Sequence, residues 1–345
     1  MNRGCEIDFI SRLAQKAAAH GSDPDLMAGI GDDCALIRKD GGLLVVTTDT
    51  LVEGVHFDLA YFDPWHLGRK AAGVNLSDIA AMGAKPRWAF LNIASRPGLP
   101  SGFWDRFTDG LLSKLSAFGA VLAGGDTVSA PHDLSVTLTL IGEPVSGGQS
   151  GNRLRRSGAR PGDIIYCSGY LGDAAAGLYY LRRYAHCDAM KGIVRGRCIS
   201  RLVERHIDPE PRVGLGMALA ASGLVCSAID LSDGVATDLA HICRASGLGA
   251  ELDASLLPIS RAVRSVSRLF GLSPIGLAVS GGEDFELLWT VSAEDEQAML
   301  RIAASALGHY PFRIGRMTLT GGSGVILRLN GRLIDITFCG YGHEI

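Results

Sequence analysis

Lysine is scarce in this chain, with 6 residues against 27 arginines. None of the six follows a glycine, so the Gly-Lys-Ser/Thr signature of a P-loop is absent. The glycine-rich and His-Arg-Asp loops of protein kinases are missing as well. Eight cysteines, at 5, 34, 167, 187, 198, 226, 243 and 339, include no Cys-x-x-Cys pair, so a zinc site or thioredoxin-like motif has no support. Isolated thiols in a chain of this size fit a reducing compartment. No run approaches the ~18 apolar residues of a bilayer span. Residues 1–20 read as an amphipathic helix without the apolar run and cleavage site of a signal peptide. A net charge of −3 offers nothing to nucleic acid or to an anionic membrane surface. These absences leave a cytoplasmic protein with neither a nucleic-acid nor a membrane partner.

What is present suits an ordinary globular chain: 345 residues, 47% hydrophobic and 20% charged, enough for two domains. Strands are expected at 43–48, 88–94, 120–123 and 134–141, the last (LSVTLTLI) alternating with period two. Helices are expected at 64–82 and 101–118 from apolar residues at helical spacing. This β-α-β-α-β-β order predicts an α/β (α+β) domain with helices on one face of a sheet. A breaker-rich stretch, 144–151, places a boundary near 150, giving domains 1–150 and 151–345. The second half predicts another α/β domain. Its strands are expected at 163–168, 225–230, 249–253, 275–279 and 285–291, with terminal strands beyond. Its helices are expected near 172–185, 195–206, 212–222, 235–246 and 293–307.

Acidic residues recur in one setting, beside small residues and apolar runs. The segments are Gly31-Asp32-Asp33, Thr47-Thr48-Asp49, Asn75-Leu76-Ser77-Asp78, Gly124-Gly125-Asp126, Asp230-Leu231-Ser232-Asp233-Gly234 and Gly281-Gly282-Glu283-Asp284. Asp49, Asp126 and Asp230 read as the ends of β runs, where open α/β sheets bind ligands. Carboxylates gathered in one place raise one another's pKa and call for a cation. Magnesium fits best, completed by hydroxyls such as those of Thr47, Thr48 and Ser232 and by phosphate oxygens. The same residue types also serve as N-caps and turns. Gly124-Gly125 and Gly281-Gly282 let backbone approach a ligand closely, which suits phosphate. Without a P-loop, metal ions would carry much of the charge neutralisation in a phosphoryl transfer from ATP. Arg153, Arg155, Arg156 and Arg160 offer forks for a phosphate or a solvated linker face. His56, close to Asp49, is either a substrate contact or a packed loop histidine.

Taken in order, these motifs resemble the thiamine-monophosphate kinase family, within the aminoimidazole ribonucleotide synthetase-like superfamily. The likeness spans nearly the whole chain and includes Gly29–Ala35, Thr47–Phe57, Val74–Ala84, Gly124–Thr127, Arg156–Asp163, Asp230–Gly234 and Ser280–Leu287. The resemblance implies ATP-dependent phosphorylation of thiamine monophosphate to thiamine diphosphate by direct transfer, in a homodimer whose N-terminal domains pair their sheets into a barrel. It implies a magnesium shell of Asp33, Thr47, Thr48, Asp49, Asp78, Asp126, Asp230 and Asp233. Gly125, Asp126, Arg156 and Ser232 match nucleotide contacts, and His56, Glu283 and Tyr341 match thiamine-phosphate contacts. Asp49 and Asp126 carry the catalytic expectation. The chain departs from the family pattern at Val128, where a threonine is frequent, and at Gly342, where an aspartate is common. Rival readings are a purine-pathway cyclo-ligase of the same superfamily, a two-metal hydrolase and a non-catalytic nucleotide sensor.

Overall fold

Alternating burial builds the first sheet. In the computed structural model, which describes residues 5–20, 23–39, 42–145, 154–184, 197–319 and 324–343, the first half runs α1 (Cys5–His20), β1 (Leu26–Ala28), β2 (Ala35–Lys39), β3 (Gly42–Val52), α2 (Pro64–Ala81), β4 (Ala84–Ser95), α3 (Phe103–Ala117), β5 (Val121–Ser129) and β6 (Ser135–Pro144). The strands order as β1-β2-β3-β6-β4-β5, antiparallel except for the β4–β5 pair. In β6, Val136, Leu138 and Leu140 are buried, whereas Thr137 and Thr139 sit on the other face and bond Thr50 and Thr48 of β3. Helix α2 begins where its sequence says it must. Asp63 caps it by accepting the His66 N–H at 3.2 Å, and Pro64 occupies the first turn.

The second half runs β7 (Ile164–Cys167), α4 (Asp173–Tyr184), α5 (Arg197–Ile207), α6 (Val213–Ser222), β8 (Val225–Asp230), α7 (Val235–Ser246), β9 (Gly249–Asp253), α8 (Arg261–Phe270), α9 (Pro274–Ser280), β10 (Leu287–Val291), α10 (Glu296–Leu307), β11 (Phe312–Thr318), β12 (Val325–Leu329) and β13 (Arg332–Asp335). Its sheet orders as β13-β12-β9-β11-β7-β10-β8, with β12 and β9 parallel and the other neighbours antiparallel. One apolar core spans both halves. It joins Leu67, Ile79 and Leu138 to Leu219, Ala228, Trp289 and Met299, and a second core lies within the later half. Polar ties reinforce the junction: Arg69 Nε donates to Asp208 at 2.7 Å, and buried Lys114 Nζ reaches Asp208 and Glu210 at 2.9 and 3.0 Å.

Several expectations change. Residues 275–279 form helix α9 rather than a strand, because Ser273 caps the Gly276 N–H at 3.0 Å and Pro274 pre-sets the first turn. Strands β3 and β5 outrun their predicted ends, so Asp49 and Asp126 lie inside strands, while Asp230 does close β8. The β-favouring Thr50-Leu51-Val52 and Thr127-Val128 sustain those ladders. Strands β1 and β2 and helix α8 were not anticipated. The boundary expected near 150, and Arg153, lie outside the described residues.

A buried ion-pair knot locks the second half. Glu286, 1% exposed, accepts from Arg205 and Arg212 at 2.6 Å each and from Ser168 Oγ at 2.5 Å. Burial alone would raise its pKa, but Arg212 and Arg205 hold it below the ordinary 4.5. Its stabilisation is therefore complete above about pH 4.5 and is lost as pH falls through the lower folded value. Glu286→Gln, which leaves two arginines without their carboxylate, should cost about 3 kcal/mol at pH 7. It should also flatten the decline of Tm between about pH 5 and 3. Thermal melts across that range check it; an acid slope parallel to the wild type would refute the assignment.

Candidate active site

Helix α2 supplies the organising face. Lys70, Val74, Ser77 and Asp78 follow the i, i+4, i+7, i+8 spacing that aligns side chains on one side of a helix. Opposite that face stand Asp49 and Thr47 on the inner side of β3, Asp230 at the end of β8, and Asp33 in the turn before β2. One oxygen each from Asp33, Asp78 and Asp230 lie within 4.8 Å of one another. Asp49 shares a hydrogen bond with Asp78, Thr47 Oγ1 donates to Asp78 Oδ2, and Ser77 Oγ donates to Asp230 Oδ2 at 2.7 Å. Arg156 meets the cluster from the second half: its Nη2 and Nε lie 2.6 and 3.1 Å from Asp33 Oδ1, and its backbone N–H donates to Asp32 at 3.0 Å.

Burial and mutual repulsion push these acids upward. Asp33 and Asp49 are raised chiefly by burial, Asp78 lies well above its ordinary value through burial and its three acidic neighbours, and Asp230 reaches about 8. The Cys34 thiol is raised by burial and by the same charges. A bound cation would displace the protons that such a cluster holds. The donors are all oxygens, and Asp33 Oδ2 is buried with no hydrogen-bond partner. This set fits a hard divalent ion such as magnesium.

Asp49, Asp78 and Asp230 also line a cavity of about 270 Å³ whose walls include His56, Ser232, Asp233, Glu283 and Tyr341. His56 Nδ1 accepts the Val52 N–H at 3.0 Å, which leaves Nε2 to carry the proton of the neutral ring. Burial, then His343, lowers its pKa and favours that neutral form. The His343 ring bridges His56 and Tyr341 at 5.2 and 5.0 Å between centroids. Three backbone segments are stitched together beneath them. Glu283 N–H donates to Ser232 O at 2.7 Å and Tyr341 N–H to Asp233 O at 2.9 Å. A Cβ on Gly282 would lie 2.5 Å from Ser232 O, so glycine is required for that approach. Glu283 and Phe285 take φ of 67° and 48°, an uncommon conformation held by these contacts.

Other expected site residues lie elsewhere in the chain's own fold. Thr48 shares the outer face of the sheet with Thr139, because neighbours in a strand point to opposite sides and Thr47 faces inward. Gly125 and Asp126 lie on edge strand β5, exposed throughout most of its length. Gly125 pairs with Leu91, Leu91 with Leu138 and Leu138 with Asp49, so β5 stands three strands from β3, about 14 Å at ~4.8 Å per strand. A Cβ on Gly125 would lie 1.8 Å from Leu91 O, so packing against β4 requires this glycine independently of any ligand. Asp126 accepts its neighbouring Thr127 N–H at 2.8 Å. Sequence reasoning also passed over Lys70, Ser77, His206 and Asp238. Asp238 is buried and accepts the Asp233 and Gly234 N–H groups at 3.2 and 3.0 Å, shaping the acidic loop. The available signal was helical spacing from Asp78 for Lys70 and, for Ser77, its place beside Asp78 in the Asn75–Asp78 motif.

The sequence matches the family described as AIR synthase related protein, N-terminal domain, over residues 31–143, and the corresponding C-terminal domain over 160–328. It is 40% identical over 342 residues to a thiamine-monophosphate kinase of Escherichia coli (strain K12), covering 98% of each chain. The chain belongs to the thiamine-monophosphate kinase family. A Bacillus subtilis (strain 168) member is 36% identical over 342 residues, covering 98% of this chain and 99% of that one. Among solved structures of the family, AaThiL complexed with AMPPCP and TMP superposes with a TM-score of 0.79 at 27% identity, covering 97% and 96% of the two chains. The Stenotrophomonas maltophilia K279a thiamine-monophosphate kinase gives 0.74 at 35% identity, covering 94% and 96%. Family membership covers both halves, so the site described above lies within the shared architecture.

Proposed function

We propose that the chain transfers the γ-phosphoryl group of ATP to the phosphate of thiamine monophosphate, giving thiamine diphosphate and ADP. The observation that carries this reading is a single cavity lined by Asp49, Asp78 and Asp230 of the carboxylate cluster and by the His56, Glu283 and Tyr341 wall. An oxygen of the acceptor phosphate forms the new bond to the γ-phosphorus. The bond from that phosphorus to the bridging oxygen breaks, and ADP leaves with the electron pair. The attacking oxygen is already ionised near neutral pH, so no strong general base is needed, and catalysis is positioning plus charge stabilisation. Asp33, Thr47, Asp49, Asp78, Asp230 and Asp233 would hold magnesium, which supplies charge neutralisation for the phosphates. Arg156 steadies Asp33 and Asp32, Ser232 lines the cavity, and His56 offers Nε2–H to the acceptor.

The same reading takes the protein as a homodimer with domains 1–150 and 151–345. Supporting it, β5 leaves an edge with Val121 and Val128 exposed by 57% and 53%, and Phe90 on adjoining β4 is 37% exposed. Unprotected edges of this kind are normally covered. In that assembly Gly125 and Asp126 approach the phosphates bound by a second copy, as does Thr48 from its outer-face position. A cytoplasmic location agrees with Cys34, Cys167, Cys198, Cys226 and Cys243, among the described residues, being free thiols. Among the described residues no helix is long and apolar enough to cross a membrane.

³¹P NMR of the protein with ATP, Mg²⁺ and thiamine monophosphate tests the activity. Paired appearance of ADP and thiamine diphosphate signals is expected. Release of inorganic phosphate alone would make it a hydrolase, and unchanged spectra despite ATP binding would make it a sensor.

A further inference from the structure

Lys70 sits fully buried on the site-facing side of α2. Its Nζ lies 2.7 Å from Glu283 Oε1 and 3.3 Å from the backbone carbonyl of His56, so one ammonium joins both segments. The Phe62 ring covers it at 5.3 Å from the ring centroid. Across the carboxylate, His206, 1% exposed, brings Nδ1 to 2.9 Å from Glu283 Oε2. Tyr61 and Phe62 pack around the His206 ring at 6.4 and 5.7 Å. Burial and the charge of Lys70 keep His206 neutral, so Lys70 supplies the countercharge here and His206 a polar wall. Burial would otherwise protonate Glu283; Lys70 first and His206 next hold its pKa well below the usual carboxylate range.

Burying an ammonium is costly unless it is paired. Lys70 is not on the lining of the cavity, so direct charge neutralisation of the phosphates does not explain it. What it does reach are two elements of the cavity wall, brought together from opposite halves of the chain. We propose that Lys70 is a positioning residue: it fixes Glu283 as an ionised, oriented acceptor and ties it to the His56 segment, making one rigid wall that recognises a cationic or N–H-donating group on the organic end of the phosphoryl acceptor. This rests on the reading of the cavity as the acceptor site. Orientation matters as much as charge, since a carboxylate with one oxygen held by Lys70 and the other set against the His206 ring presents its remaining lone pairs in a fixed direction.

The test uses Lys70→Met, Lys70→Gln, Glu283→Gln and the Lys70→Met/Glu283→Gln double variant of the full chain. Binding of thiamine monophosphate is measured by calorimetry without nucleotide, and KM and kcat are measured for both substrates. Lys70→Met should raise Kd and KM for thiamine monophosphate about ten- to a hundredfold, the range of a lost charged hydrogen bond. KM for ATP should stay within about twofold, as expected for a distant site. The double variant should bind no more weakly than Glu283→Gln alone, because Lys70 acts through that carboxylate. Lys70→Gln keeps an N–H donor for the carboxylate and the double variant removes its charge, so they keep the test alive if Lys70→Met does not fold. Additive losses in the double variant, or unchanged Kd in Lys70→Gln, would overturn the proposal. Unchanged Kd in Glu283→Gln would instead remove the acceptor-site reading. A loss in Glu283→Gln with none in either Lys70 variant sinks the positioning role alone.

Discussion

Asp78→Asn is expected to lower kcat by about two to three orders of magnitude while making the metal-free protein more stable. The two effects have one origin. Asp78 is buried among Asp49, Asp230 and Asp33, whose charges oppose its ionisation and push its pKa well above the ordinary carboxylate range. Asparagine keeps a carbonyl oxygen for the Thr47 hydroxyl and removes the charge. The sign follows from proton counting. A carboxyl that titrates at 3.8 unfolded and higher when folded takes up a proton on folding at intermediate pH, so metal-free stability falls as pH rises between those values. Asp230, raised to about 8, extends that decline across neutrality. In EDTA at pH 7.5, Asp78→Asn should therefore melt about 2–4 °C above the wild type. Added Mg²⁺ should raise the wild-type Tm and close or reverse that gap, because a cation bound only by the folded state stabilises it. Calorimetry with and without metal, beside steady-state kinetics, gives both readouts. A lower metal-free Tm with kcat preserved would mean that these acids hold the fold rather than the reaction.

Mixing two inactive variants should restore activity. Asp126 lies on exposed edge strand β5, three strands from Asp49, and its register partner Asn92 is on the exposed side of β4. If a second copy covers that edge, Asp126 of one chain serves a site whose Asp78 belongs to the other. Asp126→Asn and Asp78→Asn homodimers should each be nearly inactive. In a mixed dimer one of the two sites has both native acids. Random association makes half of the dimers mixed, so an equal mixture should recover about a quarter of wild-type activity. Co-expression with two affinity tags, followed by tandem purification, isolates the mixed species, expected at about half the wild-type rate. No recovery in verified mixed dimers would place Asp126 with its own chain's site or outside catalysis altogether.

Much of the site was readable before any fold was drawn. Carboxylates beside glycines and hydroxyls are costly arrangements that few structural roles require in such number, and their order along the chain carried the family likeness. Helix α2 was legible for a local reason, since Asp63 and Pro64 state its start and the apolar spacing states its length. The expected strand at 275–279 failed on equally local chemistry, where the Ser273-Pro274 cap overrides an apolar run too short to reveal its period.

Only the tertiary structure decided which acids meet. Asp33, Asp78 and Asp230 arrive from a turn, a helix and a strand end, and their raised pKa values arise from desolvation that the unfolded chain lacks. Strand parity separated Thr47 from Thr48, and sheet order carried Asp126 away from Asp49. Lys70 showed in the sequence only a helical spacing from Asp78, because its role depends on Glu283 and His206, which reach it only when the second half packs against α2. Sequence by itself determined the chemistry available, through residue types and their local settings; folding decided its geometry, because distance and burial are properties of packed surfaces rather than of neighbours in a chain.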